Sequence, residues 1–257
     1  MNAVDLGHTL DRPIVFRTMV RALFENARHK AFLFCMETAF PSEAAAVDTE
    51  MPVLLAALAE ASGNAVAVIA DRPFAEVDRR LAPLVLPGCA AGGLEVRTGG
   101  GAITRLRCAA DLDPVRRLLA RPGVLPVGIE IVDHGFAVEL RHEAACAAQA
   151  RACAHDAVAL APAVFALRTD ETSTRIGFAG VSRARALHRL MNDPFFIERI
   201  PIVFGSGCAD QEIYGAVRCF GGTSIEVGDR ADHGADIALP ALNDVRWLMR
   251  DFLAELG

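Results

Sequence analysis

Two short apolar runs, each followed by a stretch with helical periodicity, constrain the fold of this chain most strongly. Residues 31–36 (AFLFCM) and residues 65–70 (AVAVIA) contain no charged side chain and have the length of a buried strand. Apolar residues recur at helical spacing over residues 50–61 and residues 74–84. Continuous apolar strands that alternate with helices are typical of a parallel sheet covered on both faces. The first third of the chain therefore predicts an α/β core.

A different pattern occupies the middle of the chain. It predicts a hairpin at residues 93–107, a helix at 112–119 and two strands at 127–132 and 136–140. An alanine-rich helix at residues 142–157 and a second hairpin, formed by 164–168 and 174–178, are predicted to follow. The alternating pattern then returns. It predicts helix, strand, helix, strand and helix at residues 183–191, 202–205, 210–218, 223–227 and 241–256.

The change of pattern and its return predict an insertion in the core. One more helix is predicted before the first strand, over residues 13–29. We predict a Rossmann-type parallel-sheet core domain formed by residues 1–108 and residues 178–257. The inserted part, residues 109–177, is predicted to form an α+β cap domain.

Composition and charge exclude several classes of protein. The 257 residues include 26 basic and 32 acidic side chains, and the formal net charge of −6 disfavours a general nucleic-acid binder. The apolar stretches are shorter than the roughly 18 residues that a membrane span needs, and no signal-peptide pattern is visible. The seven cysteines are scattered, without a CxxC pair. We expect a cytoplasmic protein that has neither nucleic acid nor a membrane as a partner.

Six segments carry a family resemblance, in order, along nearly the whole chain. They are AVIADRP at residues 67–73, GGLEVR at 92–97, IVDHGFAVELRH at 131–142, GVSRARALHRLM at 180–191, PIVFGSGCADQE at 201–212 and GGTSIEVGD at 221–229. In type and spacing they resemble the trehalose-6-phosphate phosphatases of the haloacid-dehalogenase-like (HAD) superfamily. The resemblance implies a HAD-like core with a cap, a place in trehalose metabolism, and hydrolysis of a phosphate ester.

The resemblance also implies a catalytic site, and the chain departs from it. In the family one aspartate attacks phosphorus, a second acts as acid and base, a hydroxyl group and a lysine hold the phosphate, and further aspartates bind Mg²⁺. At these positions stand, in the same order, Cys35, Glu37, Ala70, Arg183 and Ser206. Because Mg²⁺ requires hard anionic oxygens, we predict that the family Mg²⁺ site is lost and that the chain uses no metal or other cofactor.

Other residues at matched positions are candidates for ligand binding. Arg72 and Arg183 could supply positive charge, since a guanidinium group pairs well with phosphate oxygens. The resemblance also implicates Glu95, which the chain retains, and His134, which replaces a lysine of the cap. Asp210 keeps acidic character in the loop after a late strand, where it could equally cap the following helix.

Two functions of different classes follow from these departures. The first is a catalytically defective homologue of trehalose-6-phosphate phosphatase, a pseudophosphatase. It would regulate or bind a partner, such as a trehalose-pathway enzyme, and retain weak affinity for a sugar phosphate. The alternative is an active phosphatase for trehalose 6-phosphate or another phosphate ester, with Cys35 as the nucleophile. Cys35 could also be a small buried core residue. We expect Cys35, Ala70, Arg183 and Ser206 to converge at the carboxyl ends of the core strands.

Overall fold

The computed structural model describes residues 4–5, 22–36, 49–206, 211–228 and 234–254. The chain divides into two compact units. The first unit comprises Met1–Thr104 and Ser182–Gly257, and the second comprises Arg105–Val181. The division thus falls after residues 104 and 181, whereas the sequence predicts domain boundaries after residues 108 and 177.

The strands and helices within the described residues are numbered in chain order. The strands are β1 Val4–Asp5, β2 Lys30–Cys35, β3 Val66–Ile69, β4 Gly88–Ala90, β5 Glu95–Arg97, β6 Ile103–Arg105, β7 Ile129–Asp133, β8 Val138–His142, β9 Phe165–Thr169, β10 Ser173–Phe178, β11 Ile200–Gly205, β12 Thr223–Val227 and β13 Ile237–Leu239. The helices are α1 Glu50–Ala61, α2 Phe74–Leu81, α3 Asp113–Leu119, α4 Ala147–Ala159, α5 Arg183–Met191, α6 Gln211–Arg218 and α7 Leu242–Ala254. Short 3₁₀ turns lie at Ala27–His29, Ala91–Gly93, Ala109–Leu112 and Ala144–Cys146.

A nine-stranded sheet forms the centre of the first unit, in the order β1-β13-β12-β11-β2-β3-β4-β5-β6. Each neighbouring pair from β1 to β4 in that order is parallel, and β5 is antiparallel to β4. The register pairs Phe34 with Phe204 across β2 and β11, and Cys35 with Ile69 across β2 and β3. The parallel core confirms the predicted α/β class, and the carboxyl ends of β11, β2 and β3 lie side by side.

Burial on both faces of this sheet explains the continuous apolar strands. Phe32 and Phe34 of β2 pack into one core with apolar side chains of α1 and α7. Leu33 and Cys35 of the same strand pack into a second core with α5 and α6. Successive side chains of a strand point to opposite faces, so a strand between two cores needs an apolar residue at every position. That requirement produces the uninterrupted run over residues 31–36.

The second unit contains a four-stranded antiparallel sheet in the order β7-β8-β10-β9. Helix α4 packs against three of these strands, and its buried residues are Ala150, Ala154 and Ala157. Their i, i+4, i+7 spacing places them on one side of the helix. Helix α3 packs beside α4. Antiparallel strands packed with helices confirm the α+β architecture predicted for the inserted part.

Some elements differ from the prediction. The sequence analysis misses the strands β1, β4 and β13, because two or three residues are too few to show a period. The helix predicted over residues 74–84 ends at Leu81, since a residue that precedes a proline, here Ala82 before Pro83, favours an extended backbone. The helix predicted over residues 13–29 lies largely outside the described residues. Within the described part of the chain, no helix is long and apolar enough to cross a membrane.

Candidate ligand site at the carboxyl edge of the core sheet

Three of the predicted site residues lie where neighbouring strands of the first unit end. Cys35 is the last residue of β2, Ala70 follows β3 directly, and Ser206 follows β11 directly. Because the three strands are parallel neighbours in the order β11-β2-β3, their carboxyl ends meet at one edge of the sheet. Ligands of open parallel sheets bind at this edge, so it is the candidate site of the protein.

Cys35 is fully buried and belongs to the apolar core on the α5 and α6 side of the sheet. Its side chain therefore lies among apolar neighbours and is not presented to solvent. This placement matches the core residue that was the alternative interpretation of Cys35. The predicted acid/base residue Glu37 lies outside the described residues, as does Asp210.

An ion pair between Asp71 and Arg183 lies beside this edge. Asp71 follows Ala70 in the loop after β3, and Arg183 is the first residue of α5. The Nε and Nη2 atoms of Arg183 lie 3.1 and 2.8 Å from the same carboxylate oxygen, Oδ1 of Asp71. Arg183 is only 5% exposed, whereas the Asp71 side chain is 28% exposed. Arg183, which the resemblance aligns with a phosphate-binding lysine, is thus buried against a carboxylate of the chain itself.

The loop that carries Asp71 is anchored by the segment before and within β5. The 3₁₀ turn Ala91–Gly93 donates backbone hydrogen bonds to the carbonyl oxygens of Ala70 and Arg72, at 3.2 and 3.0 Å. The buried Glu95 accepts a hydrogen bond from the backbone N–H of Phe74 through Oε2, at 2.9 Å. Phe74 is the first residue of α2, so Glu95, predicted to bind a ligand, satisfies a backbone donor at the start of that helix.

The second predicted arginine, Arg72, also contacts a carboxylate. Its Nη1 donates to Oε1 of Glu76, one helical turn further along α2, at 2.5 Å. The Arg72 side chain is 48% exposed, so this pair lies at the surface. Both arginines expected to supply charge to a phosphate therefore have a negatively charged neighbour.

Sequence reasoning misses the most extensive charge contact of this region, that of Arg97. This residue is 3% exposed and forms two parallel hydrogen bonds with Asp78 of α2, at 2.7 and 2.6 Å. Its Nη1 also donates to the carbonyl oxygen of Leu86, and its guanidinium lies 3.9 Å from the ring centre of Phe74. Arg97 and Glu95 stand two residues apart on β5, so both point to the same face and hold α2. That spacing is the signal in the sequence.

Two of the described residues at the edge, Cys35 and Ser206, carry groups that do not suit Mg²⁺. Cys35 offers a thiol and Ser206 a hydroxyl, whereas Mg²⁺ prefers carboxylates and other hard oxygens. A buried carboxylate that the sequence analysis missed, that of Glu226, lies on β12 in register with Gly205. Among the residues described, no group of three or more His, Cys, Asp or Glu side chains could hold a metal ion. Residues 207–210, which continue the loop after β11, are not among them.

His134 belongs to the second unit and pairs with Glu139. Its Nε2 lies 2.7 Å from Oε2 of Glu139, and Nη2 of Arg141 lies 3.5 Å from the same oxygen. Burial alone would raise the pKa of the Glu139 carboxyl. The hydrogen bond with His134 and the charges of Arg141 and Arg175 outweigh that effect and hold the pKa below its ordinary value. The predicted cap residue is thus part of a charge cluster on the cap sheet.

Comparison with known proteins finds one similar protein by sequence and several by structure. No protein-family model matches the chain. A probable trehalose-phosphate phosphatase of Sinorhizobium fredii (strain NBRC 101917 / NGR234) is 24% identical over 195 residues, which are 75% of this chain and 74% of the relative.

Solved structures share the fold at lower identity. The C-terminal domain of trehalose-6-phosphate phosphatase from C. albicans is 13% identical, with a TM-score of 0.70 over 93% of this chain and 96% of that one. A phosphatase of the haloalkanoate (HAD) superfamily, BT1666 from Bacteroides thetaiotaomicron, is 14% identical, with a TM-score of 0.59 over 88% and 96%. The C-terminal domain of a trehalose synthase regulatory protein from Candida albicans is 12% identical, with a TM-score of 0.61 over 89% and 97%.

Proposed function

We propose that this homologue of the trehalose-phosphate phosphatases, with its HAD-like fold, is a pseudophosphatase. It would bind a ligand or a partner in trehalose metabolism without hydrolysing a phosphate ester. The observation that carries the proposal is the full burial of Cys35 at the end of the central strand β2. A nucleophile must reach phosphorus, and positive charge must neutralise the oxygens as it does so. A thiol that is fully buried does not meet the first requirement.

The charges around the edge support the same proposal. Arg183 and Arg72 each contact a carboxylate of the chain, so a phosphate group would have to compete with Asp71 and Glu76 for them. Competition of this kind leaves weak affinity for a sugar phosphate, with Arg183, Arg72 and Glu95 as its residues in the core. We also propose ligand binding by Asp210 and, within the second unit, by His134. We propose no metal or other cofactor.

A regulatory role fits this chemistry. One of the similar structures is a domain of a protein described as a trehalose synthase regulatory protein. We propose by analogy that the partner of this chain is an enzyme of the trehalose pathway, and that both act in the cytoplasm. The basis is a shared fold, and a fold alone does not determine a function.

The alternative is an active phosphatase with Cys35 as its nucleophile. The position of Cys35 favours this function. Cys35 lies on β2 beside β3, and the loop that follows β3 carries Asp71, the partner of Arg183. A guanidinium group near a thiol lowers the pKa of the thiol and stabilises the thiolate. For this function Cys35 would have to become accessible when substrate binds.

A phosphate-release assay separates the two functions. The purified chain is incubated with trehalose 6-phosphate, with and without Mg²⁺, beside Cys35→Ala and Cys89→Ala. Cys89 is the matched control, because it is a buried cysteine of the same core that does not stand at the nucleophile position. Loss of one charge stabiliser commonly costs roughly 10²–10³ in rate, so we expect release at least about a thousandfold below an active family member. Rapid release that only Cys35→Ala abolishes would establish the alternative.

A further inference from the structure

We infer that the Asp71 carboxylate is a built-in competitor for anions at the carboxyl edge of the core sheet, and that it sets the affinity of Arg183 for phosphate. The inference rests on the proposed function, because it concerns the same edge. It adds the residue that weakens binding of a phosphate ester there.

The burial of Arg183 is the first reason. A guanidinium group that is 5% exposed has lost most of its hydration and needs a negative partner close to it. Asp71 supplies that partner, with Nε and Nη2 of Arg183 at 3.1 and 2.8 Å from Oδ1. Carboxylate and phosphate oxygens satisfy a guanidinium group in the same way, so an added phosphate meets an arginine that is already engaged.

The position of the pair is the second reason. Arg183 is the first residue of α5, and the side chain of Ser182 caps that helix by accepting a hydrogen bond from the backbone N–H of Arg185 at 3.2 Å. Negative charge is favourable near a helix start, and the carboxyl edge of a parallel sheet is where ligands bind. Asp71 supplies negative charge at this place.

The anchoring of the loop is the third reason. The residues on either side of Asp71 accept backbone hydrogen bonds through their carbonyl oxygens, Ala70 at 3.2 Å and Arg72 at 3.0 Å. The carboxylate is therefore held next to Arg183 by the backbone as well as by its charge. An intramolecular partner held in this way acts at a high effective concentration, which a dissolved anion must overcome.

The test is a titration with inorganic phosphate in which calorimetry measures the binding affinity. The proteins are the wild type, Asp71→Asn, and Asp71→Asn combined with Arg183→Gln. We expect Asp71→Asn to bind phosphate at least about tenfold more tightly than the wild type, which is the factor for one hydrogen bond to a charged group. The double variant should lose that gain. Asp113→Asn is the matched control, since it removes one carboxylate paired with an arginine, Arg116, outside the proposed ligand-binding residues and leaves the Asp71–Arg183 pair intact.

Equal phosphate affinity of the wild type and Asp71→Asn, with native circular dichroism, would overturn the inference. A gain that survives in the double variant, or that Asp113→Asn shows equally, would also overturn it. Asp71→Ser provides the same comparison if Asp71→Asn does not fold. The phosphate-release assay is run on separate portions of the same purified proteins, without added phosphate. Release by the wild type contradicts the proposed function, while the affinity comparison decides the role of Asp71 separately.

Discussion

Replacement of Arg97 by methionine should lower the free energy of unfolding of the first unit, and the contacts of Arg97 give the size of this loss. Methionine removes the charge and keeps much of the volume of the side chain. The change removes two charge-assisted hydrogen bonds to Asp78, the donor to the buried carbonyl of Leu86, and the contact with the Phe74 ring. Asp78 is 36% exposed, so water can solvate it in the variant.

The loss at Asp78 should therefore be modest, about 1 kcal/mol. The carbonyl of Leu86 loses a buried donor, which costs about 1–3 kcal/mol, and the ring contact contributes about 0.5–1 kcal/mol. These values predict that the free energy of unfolding falls by about 3 kcal/mol, a typical value for breaking a buried ion pair. Arg97 holds α2 and the loop before it, so the same change should also loosen the candidate site.

Urea unfolding followed by tryptophan fluorescence measures this loss in the right part of the molecule. The chain has one tryptophan, Trp247, which lies on α7 in the same unit as Arg97. The control is Arg79→Met, which removes an exposed arginine of α2 and should change the free energy of unfolding by less than about 0.5 kcal/mol. A loss below about 1 kcal/mol for Arg97→Met, or an equal loss for both variants, would refute the reasoning.

Two further predictions test the packing around the site. Gly93→Ala should destabilise the first unit by at least about 2 kcal/mol, because φ is +98° and a Cβ would lie 2.5 Å from the carbonyl oxygen of Ser182. The control Gly101→Ala, at φ +83° with open space around the Cβ, should cost about 1 kcal/mol in the same urea assay. Equal losses for the two variants would contradict this prediction. Burial raises the pKa of the Cys89 thiol to about 12, so at pH 8 iodoacetamide should label the exposed Cys219 and leave Cys89 unlabelled by mass spectrometry, whereas equal labelling would show that Cys89 is accessible.

The sequence predicts best those elements in which a periodic pattern extends over many residues or in which the apolar residues form a continuous run. β2 and β3 lie between two cores, and this burial leaves an unbroken apolar run in the sequence. β4 leaves no such record, because it has three residues and begins with Gly88. A Cβ at Gly88 would lie 2.0 Å from the carbonyl oxygen of Val68, so the close pairing of β4 with β3 requires a glycine. A lone glycine in a sequence more often indicates a turn.

The site divides in the same way. Cys35, Ala70 and Ser206 stand at the ends of strands, so a sequence that predicts the strands also predicts their common edge. The partner of Arg183 could not be found from spacing, because Asp71 lies 112 residues earlier in the chain. Glu95, which the chain retains, proves to hold a helix start.

One short segment explains much of the electrostatics of the candidate site. Residues 71–78 carry three carboxylates, and each is paired with an arginine. The pairs are Asp71 with Arg183, Glu76 with Arg72, and Asp78 with Arg97. Two of these arginines, Arg183 and Arg97, are buried, so their charges are compensated where water cannot do so. A phosphate ester would bring further negative charge next to carboxylates that are already paired, and it would gain little from arginines whose charge is already balanced. In the part of the chain that the structure describes, the charges of these three arginines are therefore already balanced, and we expect a phosphate ester to bind only weakly to them.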